Sequence, residues 1–246
     1  MIPVIARLSL IILLAGAPTV LVAAEFSPAQ RAEMVEILRE ALRKDPSILR
    51  QAIEALQADE GRAQEEASRA ALAAERSSLV DPADQVAGNP KGDVTIVEFF
   101  DVRCGYCRRM EPAMTELLRQ DRNVRLIYKD LPILGPASVL GAKALIAAQA
   151  QNGYEKLRDA LMKSNAEPTR DNLRAEAQRL GLDGDKILRD MDSPAVQARI
   201  TANLALAQRL AIRGTPAMII GDTVIPGAVD LAELQKTVAL VRSAVR

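Results

Sequence analysis

Two short apolar segments with a helical segment between them constrain the fold of this chain most strongly. Residues 94–100 read VTIVEFF and residues 124–128 read VRLIY, and both are rich in the β-branched and aromatic side chains typical of buried strands. Between them, apolar residues recur at helical spacing from Cys104 to Arg119. A strand, a helix and a second strand within about 35 residues form a βαβ unit. We therefore predict an α/β fold with two parallel strands joined by a right-handed crossover.

The chain after this unit is mostly helical before it returns to short strands. Residues 137–211 are predicted to be helical, with breaks at residues 152–153, 167–168, 181–184 and 193–194. Residues 217–220 (AMII) and 223–225 (TVI) then predict a hairpin. A last helix is predicted to begin at Asp230. A helical insertion therefore separates the βαβ unit from the rest of its sheet.

The first residues of the chain have the pattern of a secretory signal peptide. Arg7 supplies the positive charge, residues 8–14 supply the apolar core, and residues 22–24 (VAA) supply a small-residue cleavage site. A membrane span needs about 20 continuous apolar residues, so an uncleaved anchor is the less favoured interpretation. We predict that residues 1–24 are removed and that the mature protein is exported to the periplasm.

Residues 25–79 are predicted to form a helical segment in front of an α/β domain at residues 80–246. The first helix begins with Ser27 as N-cap and Pro28 at its first position, and a long second helix begins at Ser47. The second helix carries a narrow apolar stripe, here named the apolar seam, which consists of Leu49, Ile53, Leu56, Ala63, Ala67, Ala70 and Ala74.

The apolar seam predicts that the helical segment associates with a partner. Packing against another surface stabilises most helices in water, and this seam is narrow for so long a helix. We expect the segment to oligomerise, as a dimer or a trimer. The alternative is that the long helix packs across the α/β domain of its own chain. Residues 79–93, which contain two prolines and two glycines, are predicted to be a linker.

The charge of the chain gives no indication of a nucleic-acid partner. Lysine plus arginine and aspartate plus glutamate each number 32 among 246 residues, so the formal net charge is zero. A strong field of one sign, which would attract nucleic acid or an anionic membrane surface, is not expected. Apolar residues make up 49% of the chain, which is enough for a buried core. We predict a globular protein without a nucleic-acid partner.

The chain has two cysteines, Cys104 and Cys107, and no histidine. A disulfide between them closes so short a loop that it adds little stability, and exported proteins that depend on disulfides usually have several. A zinc site needs about four ligands, which this pair does not supply within one chain. Cuprous copper, which accepts two thiolates, remains open. Thiol-disulfide exchange is the favoured interpretation, with no metal or cofactor.

The position of the pair suits thiol chemistry. Cys104 lies where a strand meets a helix, and the unpaired backbone N–H groups and the dipole of a helix N-terminus favour a thiolate there. Arg103, Arg108 and Arg109 add positive charge nearby. We predict that Cys104 is the attacking thiol. Cys107, one turn later and further inside, is predicted to be the resolving thiol.

The strand-CGYC-helix unit, the helical insertion and residues 213–217 (RGTPA) resemble the thioredoxin-fold disulfide oxidoreductases of the DsbA type. The resemblance covers the whole α/β domain and implies a thioredoxin fold with a helical insertion. It further implies that Pro216 is cis and that the Thr215 main chain binds an extended substrate peptide. It also implies that Glu98 is a buried acid that exchanges a proton with Cys107. The alternative for Glu98 is a solvated side chain at the edge of a sheet.

Further similarities favour an isomerase or reductase over an oxidase. The Gly105-Tyr106 dipeptide and Thr215 before the proline are similar to the DsbC active site, and the helical segment is similar to the stalks of oligomeric ScsC-like proteins. They imply a disulfide isomerase or reductase in which Tyr106 contacts the substrate. The implied partners are cysteine-containing exported proteins and a membrane thiol reductant such as a DsbD-like protein. The alternatives are a DsbA-like dithiol oxidase and a non-catalytic cuprous copper-binding or holdase module.

Overall fold

The computed structural model of this protein describes residues 26–244. The predicted signal peptide, residues 1–24, lies outside the described residues. The chain divides into two compact units, of which the first ends at Asp59 and the second begins at Glu60. Within the described part of the chain, no helix is both long enough and apolar enough to cross a membrane.

The first unit consists of helix α1 (Pro28–Lys44) and the N-terminal part of helix α2 (Ser47–Ala74). The predicted start of α1 is confirmed, because Ser27 and Gln30 exchange two hydrogen bonds that form a capping box. Every residue of α1 is exposed or half-buried. The large apolar side chains that this unit leaves exposed are Phe26, Met34, Val35, Ile37, Leu38, Leu42, Ile48, Leu49, Ile53 and Leu56.

The second unit contains a five-stranded mixed sheet. The strands lie in the order β1-β3-β2-β4-β5, and their bounds are Gln85–Gly88 (β1), Val94–Phe100 (β2), Val124–Asp130 (β3), Ala217–Ile220 (β4) and Thr223–Pro226 (β5). Strands β2 and β3 are parallel, which confirms the predicted βαβ unit, and the other three pairs are antiparallel. The predicted hairpin is confirmed as β4 and β5.

The side chains of β2 alternate between the two faces of the sheet, as the period of a strand requires. Ile96 and Phe100 belong to a large apolar cluster on one face. Val97 and Phe99 belong to a smaller cluster on the other face. Glu98 therefore points into the face that carries the larger cluster, and this places a carboxyl group inside the main core.

The predicted linker at residues 79–93 is wrong in part. Residues 85–88 form β1, an edge strand that pairs with β3 in the antiparallel direction. Leu79, at the start of the predicted linker, and Leu72 of α2 are both buried in the smaller apolar cluster. The second unit therefore includes residues that the sequence analysis assigns to the helical segment.

Helices cover the sheet and form the insertion. They are α3 (Arg76–Leu79), α4 (Gly105–Gln120), α5 (Pro136–Ala148), α6 (Tyr154–Lys163), α7 (Arg170–Arg179), α8 (Gly184–Asp190), α9 (Pro194–Arg209) and α10 (Leu231–Ala244). The predicted helical insertion is confirmed as α5 to α9, which lie between β3 and β4. The predicted start of the last helix is also confirmed, because the Asp230 carboxylate accepts a hydrogen bond from the Glu233 amide at 2.9 Å.

Candidate active site

Cys104 caps the N-terminus of α4. Its sulfur accepts a hydrogen bond from the Cys107 amide at 3.4 Å, so it satisfies one of the amides that a helix start leaves unpaired. The same sulfur donates to the Thr215 carbonyl oxygen at 3.2 Å. Both cysteines are free thiols. The predicted position of Cys104 at the junction of strand and helix is confirmed.

Cys107 lies in the first turn of α4 and faces the core. Its exposed fraction is 1%, against 4% for Cys104. Burial raises the pKa of the Cys107 thiol, and the nearby Glu98 carboxylate adds to that rise. At neutral pH Cys107 is therefore a protonated thiol, and it needs a base before it can act as a nucleophile.

Glu98 is buried, as the resemblance implies, and the alternative of a solvated edge position is wrong. Its exposed fraction is 1%, and its neighbours across the sheet are Tyr128 on β3 and Met218 on β4. Burial raises the pKa of Glu98 to about 7, against the lowering effect of Arg158. Among the described residues, the Oε2 atom of Glu98 has no hydrogen-bond partner. The carboxyl group can therefore hold or release a proton near neutral pH.

Arg158 of α6 is the site residue that the sequence analysis missed. It is fully buried, and its guanidinium binds both oxygens of Glu111 on α4 at 2.9 and 2.6 Å. Its Nη2 atom lies 3.8 Å from Oε2 of Glu98. The guanidinium also stacks over the Tyr128 ring, at 4.0 Å from the ring centroid. One sequence signal could have identified it, since Arg158 lies on the apolar stripe of α6, four residues after the buried Tyr154.

Asp101 fixes the turn that precedes Cys104. Its Oδ1 atom accepts a hydrogen bond from the Arg103 amide at 2.8 Å. Its Oδ2 atom accepts hydrogen bonds from the amides of Ile133 and Leu134, at 3.0 and 3.1 Å. This carboxylate therefore joins the loop after β3 to the start of α4.

The loop before β4 forms the other side of the site. The Thr215-Pro216 peptide bond is cis, as the resemblance implies. Thr215 is half-buried, and Pro216 is buried. This loop and the start of β5 line a shallow groove formed by residues 211–217, Val224, Pro226 and Gly227. The chain thus brings Thr215 to Cys104 across 111 residues.

The remaining residues of the site lie at its rim. Tyr106 is 61% exposed, and the Arg109 guanidinium lies 4.1 Å from its ring centroid. Arg103 pairs with Glu167 at 3.6 Å. Arg108 donates to the Val102 carbonyl oxygen at 3.1 Å and to Asn165 at 3.4 Å. Arg103 and Arg108 therefore connect the rim of the site to the loop between α6 and α7. Their predicted effect on the Cys104 sulfur stays a prediction.

The mixed sheet, the cis proline and the Cys-x-x-Cys pair at a helix N-terminus define a thioredoxin-fold protein with a helical insertion. The DSBA-like thioredoxin domain matches residues 95–239. This match covers more than half of the chain, and the chain belongs to this family. A second family, described as the copper resistance protein ScsC N-terminal domain, matches residues 30–63.

The solved structures that are similar to this chain include two with TM-scores of 0.65 and 0.66. One is a thioredoxin-like oxidoreductase from Silicibacter pomeroyi DSS-3, with 43% identity and a TM-score of 0.66; the match covers 68% of this chain and 98% of that one. The other is Proteus mirabilis ScsC in a transitional conformation, with 28% identity and a TM-score of 0.65; the match covers 89% of this chain and 98% of that one.

Curated relatives match a smaller share of their own length. The Na(+)/H(+) antiporter NhaA 1 of Salinispora arenicola is 30% identical over 162 residues, which are 65% of this chain and 25% of the antiporter. The chain thus spans about a quarter of the length of the antiporters that it matches. The similarity covers that quarter of each antiporter and not the rest of its length.

Replacing Glu98 by glutamine should change how stability depends on pH. As the pH rises from 4.5 to about 7, the unfolded chain releases the Glu98 proton while the folded protein keeps it, so the free energy of unfolding falls. This pKa difference corresponds to about 3 kcal/mol. We expect the free energy of unfolding of Glu98→Gln, relative to that of the wild type, to rise by about 3 kcal/mol between pH 4.5 and pH 8 in urea denaturation.

Near-UV circular dichroism of tyrosine suits this measurement, because all three tyrosines of the chain, Tyr106, Tyr128 and Tyr154, belong to the second unit. Glu116→Gln is the matched control on α4, because Glu116 is a surface residue whose pKa is lowered to about 2 by its hydrogen bond to Arg119. The control should show no such gain. Parallel pH curves for Glu98→Gln and the wild type would contradict the assignment.

Proposed function

We propose that this protein is an exported thiol-disulfide oxidoreductase of the periplasm that isomerises or reduces disulfides in cysteine-containing proteins. The observation that carries the proposal is the contact geometry of Cys104. Its sulfur caps α4, lies 3.2 Å from the Thr215 carbonyl oxygen and is followed by a buried thiol at Cys107. A thiol at a helix N-terminus, beside the backbone of a cis-proline loop, suits attack on the disulfide of an extended peptide.

The first chemical step belongs to Cys104. Its thiolate attacks one sulfur of a substrate disulfide, a bond forms between Cys104 and that sulfur, and the second substrate sulfur leaves as a thiolate. In isomerisation, another thiol of the substrate then attacks the substrate sulfur of this mixed disulfide and releases Cys104 unchanged. The protein itself is neither oxidised nor reduced in that cycle.

The second step belongs to Cys107 and ends in reduction of the substrate. Cys107 gives its proton to Glu98 and attacks the Cys104 sulfur, so a Cys104-Cys107 disulfide forms and the substrate leaves as a thiolate. The raised pKa of Glu98, about 7, suits a group that must both accept and return this proton. A membrane thiol reductant such as a DsbD-like protein would restore the dithiol.

Substrate binding is assigned to the loop before β4 and the rim of α4. The Thr215 main chain and Pro216 line the groove beside Cys104, where an extended peptide would add backbone hydrogen bonds and little sequence selectivity. Tyr106, two residues after Cys104, offers an exposed aromatic ring. The Gly105-Tyr106 dipeptide, and Thr215 in place of the valine of the oxidase DsbA, favour isomerase or reductase activity over oxidation.

Oligomerisation is assigned to the helical segment, which follows the cleaved signal peptide of residues 1–24 and precedes the thioredoxin-like domain. Its exposed side chains include Leu49 and Ile53 of the apolar seam together with Ile37 and Leu38 of α1, and exposed apolar surface of this kind marks interaction sites. The match to an ScsC N-terminal domain covers the same stretch. We propose a homodimer or homotrimer.

The family match at residues 30–63 does not support a copper site in this stretch. The name of that family refers to copper resistance, but these residues contain neither cysteine nor histidine. Soft thiolates are the ligands that suit cuprous copper, so this stretch carries no proposal of a copper site.

Replacing Cys104 by serine should reduce disulfide exchange to the uncatalysed background, because a hydroxyl group does not form a disulfide. Replacing Cys107 by serine should leave the first step intact and trap mixed disulfides. Refolding of a scrambled multi-disulfide protein measures the activity, and mass spectrometry of acid-quenched samples detects the trapped adducts. Full activity of the Cys104→Ser protein would contradict the mechanism.

Replacing Leu49, Ile53 and Leu56 together by glutamate should yield a monomer. Three charges on the apolar seam would repel one another between copies and would remove the apolar contacts. We expect the solution mass to fall to that of one chain, with a loss of isomerase activity on the scrambled protein. Exchange between Cys104 and a small disulfide should stay at the wild-type rate.

The matched control places three glutamates on the opposite face of α2, at Gln51, Ala55 and Ala58, which lie about half a turn away from the seam. This variant should keep the wild-type mass and activity. If the seam variant keeps the wild-type mass, the proposed role of the seam is wrong.

A further inference from the structure

We propose that Arg158 is a positioning residue of the redox site, the buried cation through which the helical insertion keeps Glu98 able to accept and return the Cys107 proton. This inference rests on the proposed function and assigns a role to a part of the fold outside the βαβ unit. Arg158 lies in the middle of α6, one of the five helices of the insertion.

Arg158 has a fixed position in the core. Its planar guanidinium binds both oxygens of Glu111 at 2.9 and 2.6 Å, in the bidentate geometry that lysine does not offer. The rings of Tyr128 and Phe100 lie 4.0 and 4.9 Å from its central carbon. A cation that is buried and held on three sides stays in one place while the thiols next to it change state.

Arg158 and Glu98 form an ion pair without a hydrogen bond. The Nη2 atom lies 3.8 Å from Oε2 of Glu98, which is longer than a hydrogen bond. That oxygen has no hydrogen-bond partner among the described residues, although it is buried, and such an atom in a native protein calls for an explanation. The guanidinium therefore supplies charge to Glu98 and leaves the oxygen free to take a proton.

The other groups around Glu98 oppose its ionised form or carry no charge at neutral pH. From α4, Glu111 brings a second negative charge, and Cys107 is the thiol that exchanges the proton. From β3, Tyr128 faces Glu98 across the sheet, and burial raises the pKa of its hydroxyl, so it stays neutral. From β4, the partner is the uncharged Met218. From α6, Arg158 brings the opposing positive charge.

The distance of 3.8 Å explains how Glu98 serves two opposite steps. Burial alone would keep the carboxyl group protonated and unable to accept a proton. A direct bidentate ion pair would keep it ionised and unable to return one. In the intermediate arrangement, Cys107 transfers its proton to Glu98, attacks Cys104, and releases the substrate thiolate as the disulfide forms. The proton returns to Cys107 when an external thiol reduces that disulfide.

Replacing Arg158 by glutamine should move the pH dependence of the second step. The substrate is the wild-type protein with glutathione in disulfide linkage to Cys104, and the measurement is the rate at which Cys107 releases glutathione after a pH jump. We expect an inflection near pH 7 in the wild type and an inflection about 1–3 pH units higher in Arg158→Gln. Release at pH 7 should be slower in the variant.

Three controls separate this role from a structural one. Arg158→Lys keeps a positive charge without the bidentate contact, so its inflection should lie between those of the wild type and Arg158→Gln. Arg170→Gln removes an arginine of the same insertion that pairs with Asp192, and it should keep the wild-type profile. In a Glu98→Gln background the inflection should be absent, and adding Arg158→Gln should not restore it.

The inference is overturned if Arg158→Gln keeps the wild-type inflection. If Arg158→Gln does not fold, the same shift is required of Arg158→Met, which is also neutral and keeps the volume of the side-chain stem. Wild-type protein that releases no glutathione would contradict the second step of the proposed function, in which Cys107 attacks Cys104. Wild-type release with an unchanged inflection in the neutral variant would contradict the role of Arg158 alone.

Discussion

The first turn of α4 is the constraint on which the arrangement of the second unit depends. A helix that begins close after a buried strand leaves backbone amides without hydrogen-bond partners inside the core. The Cys104 sulfur accepts a hydrogen bond from one of these amides. That cap turns Cys107 inward and brings Cys104 beside the Thr215 carbonyl oxygen. The order of the strands completes this site, because β4 pairs with β2 and the cis-proline loop directly precedes β4.

The core beneath this turn contains ionisable groups that a purely structural core would avoid. Glu98, Cys107 and Arg158 are all almost fully buried, and burying such groups destabilises the fold unless they are paired. Glu111 pairs with Arg158, but one oxygen of Glu98 has no hydrogen bond within residues 26–244. Imperfect pairing of this kind is typical of functional sites, where groups needed for the chemistry lower the stability of the fold.

The sequence predicts the parts of the fold whose signals are local. β2, α4 and β3 follow from strong periodicity, and the cap at Ser27 follows from the residue types. β1 was not predicted, because Gln85–Gly88 contains two apolar residues beside Pro82 and Pro90 and becomes a strand only by pairing with β3. Glu98 was found through the resemblance. Arg158 was not, because the bidentate contact that buries its charge joins α6 to α4 across 47 residues.

We propose that the two thiols differ in what they react with: Cys104 reacts with substrate disulfides, and Cys107 reacts with Cys104. The most direct test is alkylation of the reduced wild-type protein with limiting iodoacetamide at pH 7, with the modified cysteine identified by mass spectrometry of peptides cleaved between residues 104 and 107. Both cysteines are buried, but burial raises the pKa of Cys107 while the Cys104 sulfur lies at the N-terminus of α4, so we expect modification of Cys104 with Cys107 almost unmodified. Equal modification of the two cysteines, or modification of Cys107 first, would contradict the account.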